Sequence, residues 1–534
     1  MMSNMNKIHS KKVLGGMRLL VLSLSSLLFA SCYDDKGNYD YIDLEKVEIE
    51  SPGERILDRY VISRFDTLTI DPIVTYQGKQ VVGDEAPLDY LWTLYTTASG
   101  AGVDYTIDTL ATTRKLEAQI TRGGGAYHLQ LTVRNRNDGV EYYMGTSVTI
   151  EESISAGWIL LYECADAPGQ SDVGLVVNEW TKRSIIKNRE FWDLYKASNN
   201  THMNGAPVTM LHTCANLAQG DIIMLFTDKE YAGVSHTTFE KNTAFENLFY
   251  EVPSKYDVTY YGPAGSTAMG ETIINDNKVY VTSFMGGRSN FFGVSMSGNY
   301  GKLAPWASAV RAASFDAVVY DQTNQRFLVA PRGGVSFMSF GPQDPNAAFD
   351  VNNVGMELLM GDWGGNTNYY DYLLMKKGSE YYLAEANFGM RSNINLPNIG
   401  MGLHNITNSP GISTATSMAA AYLGQYIVYS SGNKVYNLAY NQSTTATTLW
   451  TAPEVGEEVT CVRLQKYYYM MLHQRILPSA NQLMHIATWN ENTKQGKLYE
   501  YQVNPASGAI LGEPKVYNVP GKVKEMCWKY AMEM

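Results

Sequence analysis

The sequence predicts an all-β protein in which a small antiparallel β-sandwich precedes a β-propeller of about seven blades. Two observations lead to this prediction. Short strands rich in aromatic and β-branched residues alternate with polar turns along most of the chain. Similar strand–turn–strand units recur after residue 157, often about 50 residues apart, which is within the range of propeller blades. Helical periodicity is scarce, and one helix is expected over residues 189–197.

The first 31 residues are predicted to be a secretory signal that is removed from the mature protein. Lys7, Lys11, Lys12 and Arg18 form a positively charged beginning. An apolar run from Leu19 to Ala30 follows. A permanent membrane-spanning helix needs about 20 apolar residues, and this run is shorter. We therefore leave residues 1–31 out of the fold prediction.

The signal ends in Leu28-Phe29-Ala30-Ser31-Cys32, where two small residues precede a cysteine. This pattern resembles the bacterial lipobox, whose cysteine is diacylated and becomes the new N-terminus. The lipobox prefers an aliphatic residue where Phe29 stands. The resemblance implies that Cys32 is lipidated and that the acyl chains hold the protein on a membrane. The alternative is an ordinary signal peptide followed by a coincidental cysteine.

Residues 32–46 are predicted to be a flexible tether that begins at the lipidated cysteine. Asp34 and Asp35 follow Cys32 almost directly. Acidic residues at this place resemble the surface-export signal of Bacteroidota lipoproteins. The resemblance implies an outer-membrane protein, anchored by lipid, that faces the extracellular side. The alternative is a solvated linker without a sorting role.

Residues 47–152 are predicted to form the sandwich. Tyr90–Tyr95 is a strand with a central tryptophan, and Tyr127–Asn135 alternates between apolar and polar residues, with Tyr142–Ile150 as its return strand. This arrangement resembles immunoglobulin-like PKD domains. Together with the tether it resembles the PKD-like lipoprotein family of Bacteroidota, whose members are typically encoded beside SusC/SusD-type outer-membrane transporters. Such a transporter and other surface lipoproteins are therefore the partners that the resemblance implies.

Residues 157–534 are predicted to form the propeller. Gly157–Tyr162 is its first strand, and Met484–Ile510 is the clearest single blade. The repeats are degenerate, so an array of β-sandwiches remains the alternative. Further strands are expected at Asn277–Val281, Gln325–Val329, Ser379–Leu383, Gly424–Tyr429 and Gly496–Tyr501.

Charge and cysteine spacing exclude several classes of protein. The full chain has a net charge of -11, and the signal carries four of the 42 basic residues and no acidic residue, which leaves 38 against 53 acidic, or -15. This disfavours nucleic acid and anionic lipid as ligands. Cys164, Cys214, Cys461 and Cys527 are far apart without a C-x-x-C pair, so the sequence predicts neither a zinc site nor a dense disulfide framework. The sequence leaves open whether two of these four cysteines form a disulfide.

The chain has no recognisable catalytic motif. It lacks the H-E-x-x-H zinc helix, the G-x-S-x-G elbow and a phosphate-binding loop, so we predict no catalytic residue, no metal and no cofactor. A pair of carboxylates at the separation that glycosidases require is a property of the fold, and the sequence leaves it open.

Two glycine-containing segments are the best candidates for ligand binding, since they combine rings, amides and charges. An arginine there can bind a carboxylate through two hydrogen bonds. Inter-blade turns with structural glycines are the alternative. The predicted ligand-binding residues are Trp363, Asn366, Tyr369, Tyr370 and Asp371 in the segment 361–371, and Arg288, Asn290 and Phe291 in the segment 285–292.

The resemblance, together with the absence of a catalytic motif, implies a non-catalytic accessory or binding component of a SusC/SusD-type, TonB-dependent nutrient import system, with a glycan or peptide as its ligand. One alternative is a surface propeller that hydrolyses or eliminates polysaccharide. A second alternative is a structural scaffold within the transporter complex. A fold alone does not decide among them, because propellers support both binding and catalysis.

Overall fold

The chain forms two compact units in the computed structural model. Of the described residues, the first contains 45–60, 67–119 and 126–149, and the second contains 61–66, 120–125 and 150–529. In the described residues, no helix has the length and apolarity to span a membrane. The structure describes residues 45–529, apart from 54, 84, 97–104, 152–153, 155, 182–187, 214–221, 265–269, 283–290, 310–313, 366–369, 390–391, 467–478 and 480.

The first unit is built on antiparallel strands around a buried tryptophan. Its strands, of which β2, β9 and β10 extend one to three residues beyond the ranges given above, are β1 (Val47–Ile49), β2 (Arg59–Ser63), β3 (Thr67–Ile70), β4 (Val74–Tyr76), β5 (Lys79–Gln80), β6 (Leu88–Tyr95), β7 (Asp108–Ala111), β8 (Leu116–Gln119), β9 (Gly125–Asn135) and β10 (Glu141–Glu151). They form sheets in the orders β2-β10-β9-β6-β7, β1-β4-β5 and β3-β8. Trp92 of β6 is fully buried, and its Nε1 donates a hydrogen bond to the carbonyl of Thr113 at 3.1 Å.

The second unit contains short strands and one α-helix. These are β11 (Gly157–Cys164), β12 (Gln170–Val177), β13 (Arg189–Phe191), α1 (Leu194–Asn199), β14 (Met203–Asn204), β15 (Pro207–Thr213), β16 (Ile222–Thr227), β17 (Tyr231–Ser235), β18 (Lys241–Thr243), β19 (Val258–Ala264), β20 (Gly270–Asn275), β21 (Lys278–Val281), β22 (Leu303–Ala307), β23 (Phe315–Asp321), β24 (Arg326–Pro331), β25 (Glu357–Gly364), β26 (Tyr370–Lys377), β27 (Glu380–Ala386), β28 (Gly400–Asn405), β29 (Ser417–Ala420), β30 (Ile427–Ser431), β31 (Lys434–Leu438), β32 (Thr447–Thr451), β33 (Glu457–Leu464), β34 (Leu483–Asn490), β35 (Gln495–Val503), β36 (Ile510–Val519) and β37 (Gly521–Lys529). Two 3-10 helices, Phe245–Leu248 and Ile412–Thr414, complete the described elements.

These strands form seven sheets within the described part of the chain. The first has the order β13-β12-β11-β37, with β14 paired to β12, and the others are β15–β18, β19–β21, β22–β24, β25–β28, β29–β32 and β33–β36. Strand β37 pairs antiparallel with β11, so that Leu160 lies opposite Met526. The first sheet therefore takes strands from both ends of the unit.

One strand of each sheet faces a common axis, and these seven strands contact one another in a closed ring. The ring follows the order β37, β15, β19, β22, β25, β29 and β33, and returns from β33 to β37. A radial arrangement of sheets of this kind is a β-propeller. The predicted all-β class and propeller are therefore confirmed, and the described sheets number seven.

The apolar core lies between neighbouring sheets. Between the fourth and fifth sheets, for example, the rings of Phe327 and Phe388 lie 5.0 Å apart and Trp306 packs against both. Every sheet thus needs a neighbour on both sides to bury its faces, which explains why closure of the ring matters.

The predicted helix over residues 189–197 is shorter and begins later, as α1. Arg189–Phe191 instead pairs with β12 as an outer strand. Leu194 and Tyr195 of the helix are buried as expected. Propensity in this segment is overridden because β12 offers hydrogen-bond partners to an extended backbone.

Candidate binding site

The seven innermost strands enclose a cavity of about 430 Å³ on the propeller axis. Its wall combines rings, methionines and charged groups, and every strand of the ring contributes. Representative lining residues are Met210, Tyr260, Trp306, Trp363, Met418, Arg463 and Met526.

A buried ion pair lies on one side of the cavity. The ammonium group of Lys466 binds the carboxylate of Asp362 and donates a second hydrogen bond, of 2.6 Å, to the carbonyl of Trp363. It also lies 5.1 Å from the centre of the Trp363 ring, within reach of a cation–π interaction. Burial lowers the pKa of Lys466, and the charge of Asp362 opposes that shift.

The carboxylate of Asp362 receives several hydrogen bonds. Besides Lys466, the backbone amides of Trp363 and Ala420 donate to its two oxygens at 2.9 and 2.8 Å. Ala420 belongs to β29, so this carboxylate also joins the fifth sheet to the sixth.

Asp371, at the beginning of β26, has a different environment. Its side chain is buried, and its Oδ2 accepts a 2.6 Å hydrogen bond from Ser308. Its Oδ1 is buried and has no hydrogen-bond partner among the described residues. Burial raises the pKa of Asp371 well above its ordinary value, and the negative charge of Asp362 raises it further. The protonated acid is therefore favoured, and its free oxygen can donate or accept one hydrogen bond.

A second ion pair fixes the wall where β33 meets β37. The guanidinium group of Arg463 contacts both carboxylate oxygens of Glu525, at 2.8 and 2.7 Å. It also donates to Ser417 Oγ at 3.1 Å. Such a two-pronged contact is both strong and directional. Arg463 is thus a pre-positioned part of the wall.

The structure brings together only part of the predicted binding residues. Trp363 and Asp371 line the cavity, whereas Tyr370 is half-buried beside them. The Trp363 ring is 2% exposed and meets Tyr422 edge-on at 5.8 Å, so it is not the open stacking surface expected from the sequence. Phe291 is 36% exposed and packs against Tyr250 at 5.2 Å, outside the described wall of the cavity.

The remaining predicted residues lie outside the described part of the chain. They are Asn366 and Tyr369 of the first segment, Arg288 and Asn290 of the second, and Cys32, the predicted lipidation site.

The sequence did not single out Asp362, Lys466, Arg463 or Glu525. A signal existed for Arg463, because a charged residue between Val462 and Leu464 is unusual in a buried strand. Its partner lies 62 positions away, and Lys466 lies 104 positions from Asp362. Only the closed ring brings such residues together.

One family of known proteins matches part of the chain in sequence. A model of the PKD-like family matches residues 32–207. No curated protein is significantly similar to the chain in sequence.

Several solved structures are similar in fold, all at low identity. A quinonprotein alcohol dehydrogenase-like protein from Bacteroides thetaiotaomicron is 12% identical, with a TM-score of 0.43, over 88% of this chain and 96% of that one. A dihydro-heme d1 dehydrogenase is 8% identical, with a TM-score of 0.35, over 80% of this chain and 75% of that one. The WD40 domain of SCAP from fission yeast is 10% identical, with a TM-score of 0.24, over 68% and 74%. Our assignment of the propeller rests on the strand topology.

Proposed function

We propose that this protein is a lipid-anchored, cell-surface accessory component of a SusC/SusD-type nutrient importer, and that it binds a glycan or peptide fragment in the central cavity. The lipobox-like sequence at Cys32 and the PKD-like match over residues 32–207 support the anchor and the setting. The cavity supports the binding role.

The observation that carries the binding role is that Oδ1 of Asp371, in the wall of a cavity of about 430 Å³, has no hydrogen-bond partner among the described residues. Small-molecule sites are typically concavities of roughly this size, lined by apolar groups with a few fixed polar groups. A buried polar atom without a partner costs free energy, which a ligand hydroxyl or amide would recover.

The charges of the wall indicate which ligand fits. Asp362 and Glu525 are each neutralised by a cation, and Asp371 favours its neutral form. The wall therefore offers hydrogen bonds and aromatic side chains, and Lys524 adds one positive charge to it. An uncharged, hydroxyl-rich sugar or a peptide backbone suits such a wall better than a multiply charged anion.

Calorimetric titration with a panel of oligosaccharides and short peptides tests this proposal. The wild-type protein should bind one member of the panel, and Asp371→Ala should weaken that binding about 10-fold, the cost of about one hydrogen bond. Asp350→Ala is the matched control, because this exposed aspartate of the same unit lies outside the cavity wall. A ligand that binds wild type and Asp371→Ala equally well would place the site elsewhere.

A second candidate function is polysaccharide hydrolysis, and one observation favours it. The cavity wall holds two carboxyl groups in different surroundings, with Asp362 paired to a cation and Asp371 favouring its proton. Glycosidases need one carboxylic acid that donates a proton and one carboxylate that acts as base or nucleophile. Hydrolysis would be established if the wild-type protein and Asp350→Asn release reducing ends from a polysaccharide and both Asp371→Asn and Asp362→Asn do not. Binding without turnover would exclude it for the ligand tested.

A further inference from the structure

Lys524 of β37 lies in the wall of the central cavity, and its setting differs from that of the other two cations there. Arg463 is bound to Glu525 at 2.7 Å, and Lys466 is bound to Asp362. The Lys524 side chain is exposed and forms no ion pair among the described residues. The wall therefore presents one ammonium group whose charge the protein leaves uncompensated.

A β-bulge determines the position of Lys524. Strand β37 pairs with β11 so that Glu525 lies opposite Leu161 and Val523 lies opposite Tyr162, which leaves Lys524 without an opposite residue. An extra residue of this kind bends the strand locally and changes the direction of the side chain, and such bulges are frequent beside functional sites. The bulge thus lies in one of the seven strands that form the cavity wall.

The exposed residues of the wall show where the cavity meets solvent. Four of the described lining residues are exposed, namely Thr259, Pro305, Thr416 and Lys524. The first three are uncharged. A ligand that enters from solvent therefore meets a single fixed charge among the exposed residues of the wall, and that charge is positive.

The charge of Lys524 also reaches the neighbouring strand β33. Burial raises the pKa of the Cys461 thiol in β33 to about 11, and the positive charges of Arg463 and Lys524 oppose that shift. Strands β33 and β37 are adjacent in the ring. Lys524 is therefore near the rigid pair of Arg463 and Glu525, which supports this part of the wall.

The described wall as a whole carries a positive charge. Its two ion pairs are neutral, and burial raises the pKa of Asp371 and so favours the uncharged acid. His212 also lines the wall and carries no negative charge in either protonation state. Lys524 is thus the group that gives the wall at least one positive charge.

A single ammonium group suits a singly charged partner. A carboxylate carries one negative charge near neutral pH, whereas a phosphate monoester carries about -1.5 to -2. Lysine acts as a compact point charge with three hydrogen-bond donors, so it binds a carboxylate without requiring one fixed orientation.

We propose that Lys524 binds a carboxylate group of the ligand, and that the central cavity thereby selects glycans or peptides with one acidic group over neutral ones of the same size. This inference rests on the proposed binding function and adds the chemical class of the ligand. The body of the ligand remains uncharged, since the wall compensates only one charge.

Calorimetric titration with matched acidic and neutral ligands tests the inference. One pair is cellobiouronic acid and cellobiose, and the other is N-acetyl-trialanine and its C-terminal amide. The two pairs distinguish a sugar acid from a peptide terminus as the source of the carboxylate. The wild-type protein should bind the acid of one pair about 10-fold more tightly than its neutral partner, as expected for a hydrogen bond to a charged group. This preference should decrease as the salt concentration rises.

Substitutions of exposed lysines show whether Lys524 causes the preference. Lys524→Gln should bind both members of the pair with the affinity that the wild-type protein has for the neutral one, and Lys524→Arg should keep the preference because it keeps the charge. Lys522→Gln is the matched control, because Lys522 is exposed on the same strand and lies outside the cavity wall. This control should keep the full preference.

Three results would overturn the inference. The first is equal affinity of the wild-type protein for the acidic and neutral members of a pair that binds. The second is a preference that persists in Lys524→Gln. Both results leave the cavity as a binding site, so they do not affect the proposed function. The third is that neither pair binds, in which case the proposed function still depends on the wider panel of ligands and on Asp371→Ala.

Discussion

Asp362 and Asp371 have the same side chain and face the same cavity, yet their surroundings give them opposite chemistry. Asp362 receives hydrogen bonds from an ammonium group and two amides. Asp371 receives one hydrogen bond, from a hydroxyl group, and is otherwise enclosed. Desolvation, opposed by this single hydrogen bond, therefore favours the protonated form of Asp371.

The raised pKa of Asp371 predicts how stability depends on pH. Since the folded state holds this proton more tightly than the unfolded state, its contribution is complete below the ordinary aspartate pKa of about 3.9 and is lost as pH rises through the folded pKa. Asp371→Asn removes this dependence. Its stability relative to wild type should therefore rise with pH above about 4, by at most about 1.4 kcal/mol per pH unit. Thermal unfolding of both proteins over a pH series measures this difference, and a constant difference would contradict the assignment.

The buried pair of Lys466 and Asp362 predicts a large effect of a single substitution. Lys466→Met leaves the carboxylate of Asp362 without its cation and should cost about 3 kcal/mol in the free energy of unfolding. Lys494→Met is the matched control, because Lys494 forms an exposed pair with Glu491 and should cost less than about 0.5 kcal/mol. Denaturant titration compares the two, and equal losses would show that the Lys466 pair is solvated.

At the scale of the elements, the strands that lie outside the innermost ring were easier to predict than those that form it. Five predicted segments correspond to β21, β24, β27, β30 and β35, which are rich in aromatic and β-branched residues. The innermost strands carry mixed patterns because they face a cavity on one side. β25, for instance, is half-buried over Leu359–Asp362. Their periodicity is therefore weak, and the sequence did not define them.

The site was predictable only in part, for the same reason. Trp363 and Asp371 were found because they lie close together in one segment of distinctive composition. Lys466 comes from the seventh sheet, at the end of β33. No local sequence pattern indicates that side chains of the fifth and seventh sheets face the same axis. That arrangement follows from the closed ring of strands.

Strand β37 is the element on which ring closure depends. It pairs with β11 along Gly157–Cys164 and also contacts β15 and β33. A chain that ends at Pro520 should lose cooperative unfolding and aggregate, because Trp158 and Leu160 would be exposed. A chain that ends at Lys529 is the control and should unfold as wild type does. Size-exclusion chromatography and calorimetry distinguish the two, and a monomeric, cooperative protein ending at Pro520 would contradict the role of β37.

At the scale of the whole molecule, we propose that a lipid anchor at Cys32 precedes a PKD-like region and a propeller with a central cavity. Without the predicted signal the chain would have a net charge of -15, from 38 basic and 53 acidic residues, which disfavours binding to anionic lipid. The acyl chains predicted at Cys32 would then provide the membrane attachment. We propose that a protein anchored in this way would deliver a bound ligand to a neighbouring transporter.

The most direct test of the central claim is affinity purification of the native protein from outer membranes in mild detergent, followed by identification of the proteins that accompany it. We expect a TonB-dependent barrel and a SusD-like lipoprotein to be recovered with the wild-type protein, and we expect Cys32→Ala to be released from the membrane and to recover neither. Recovery of the membrane-bound wild-type protein alone would contradict the accessory role.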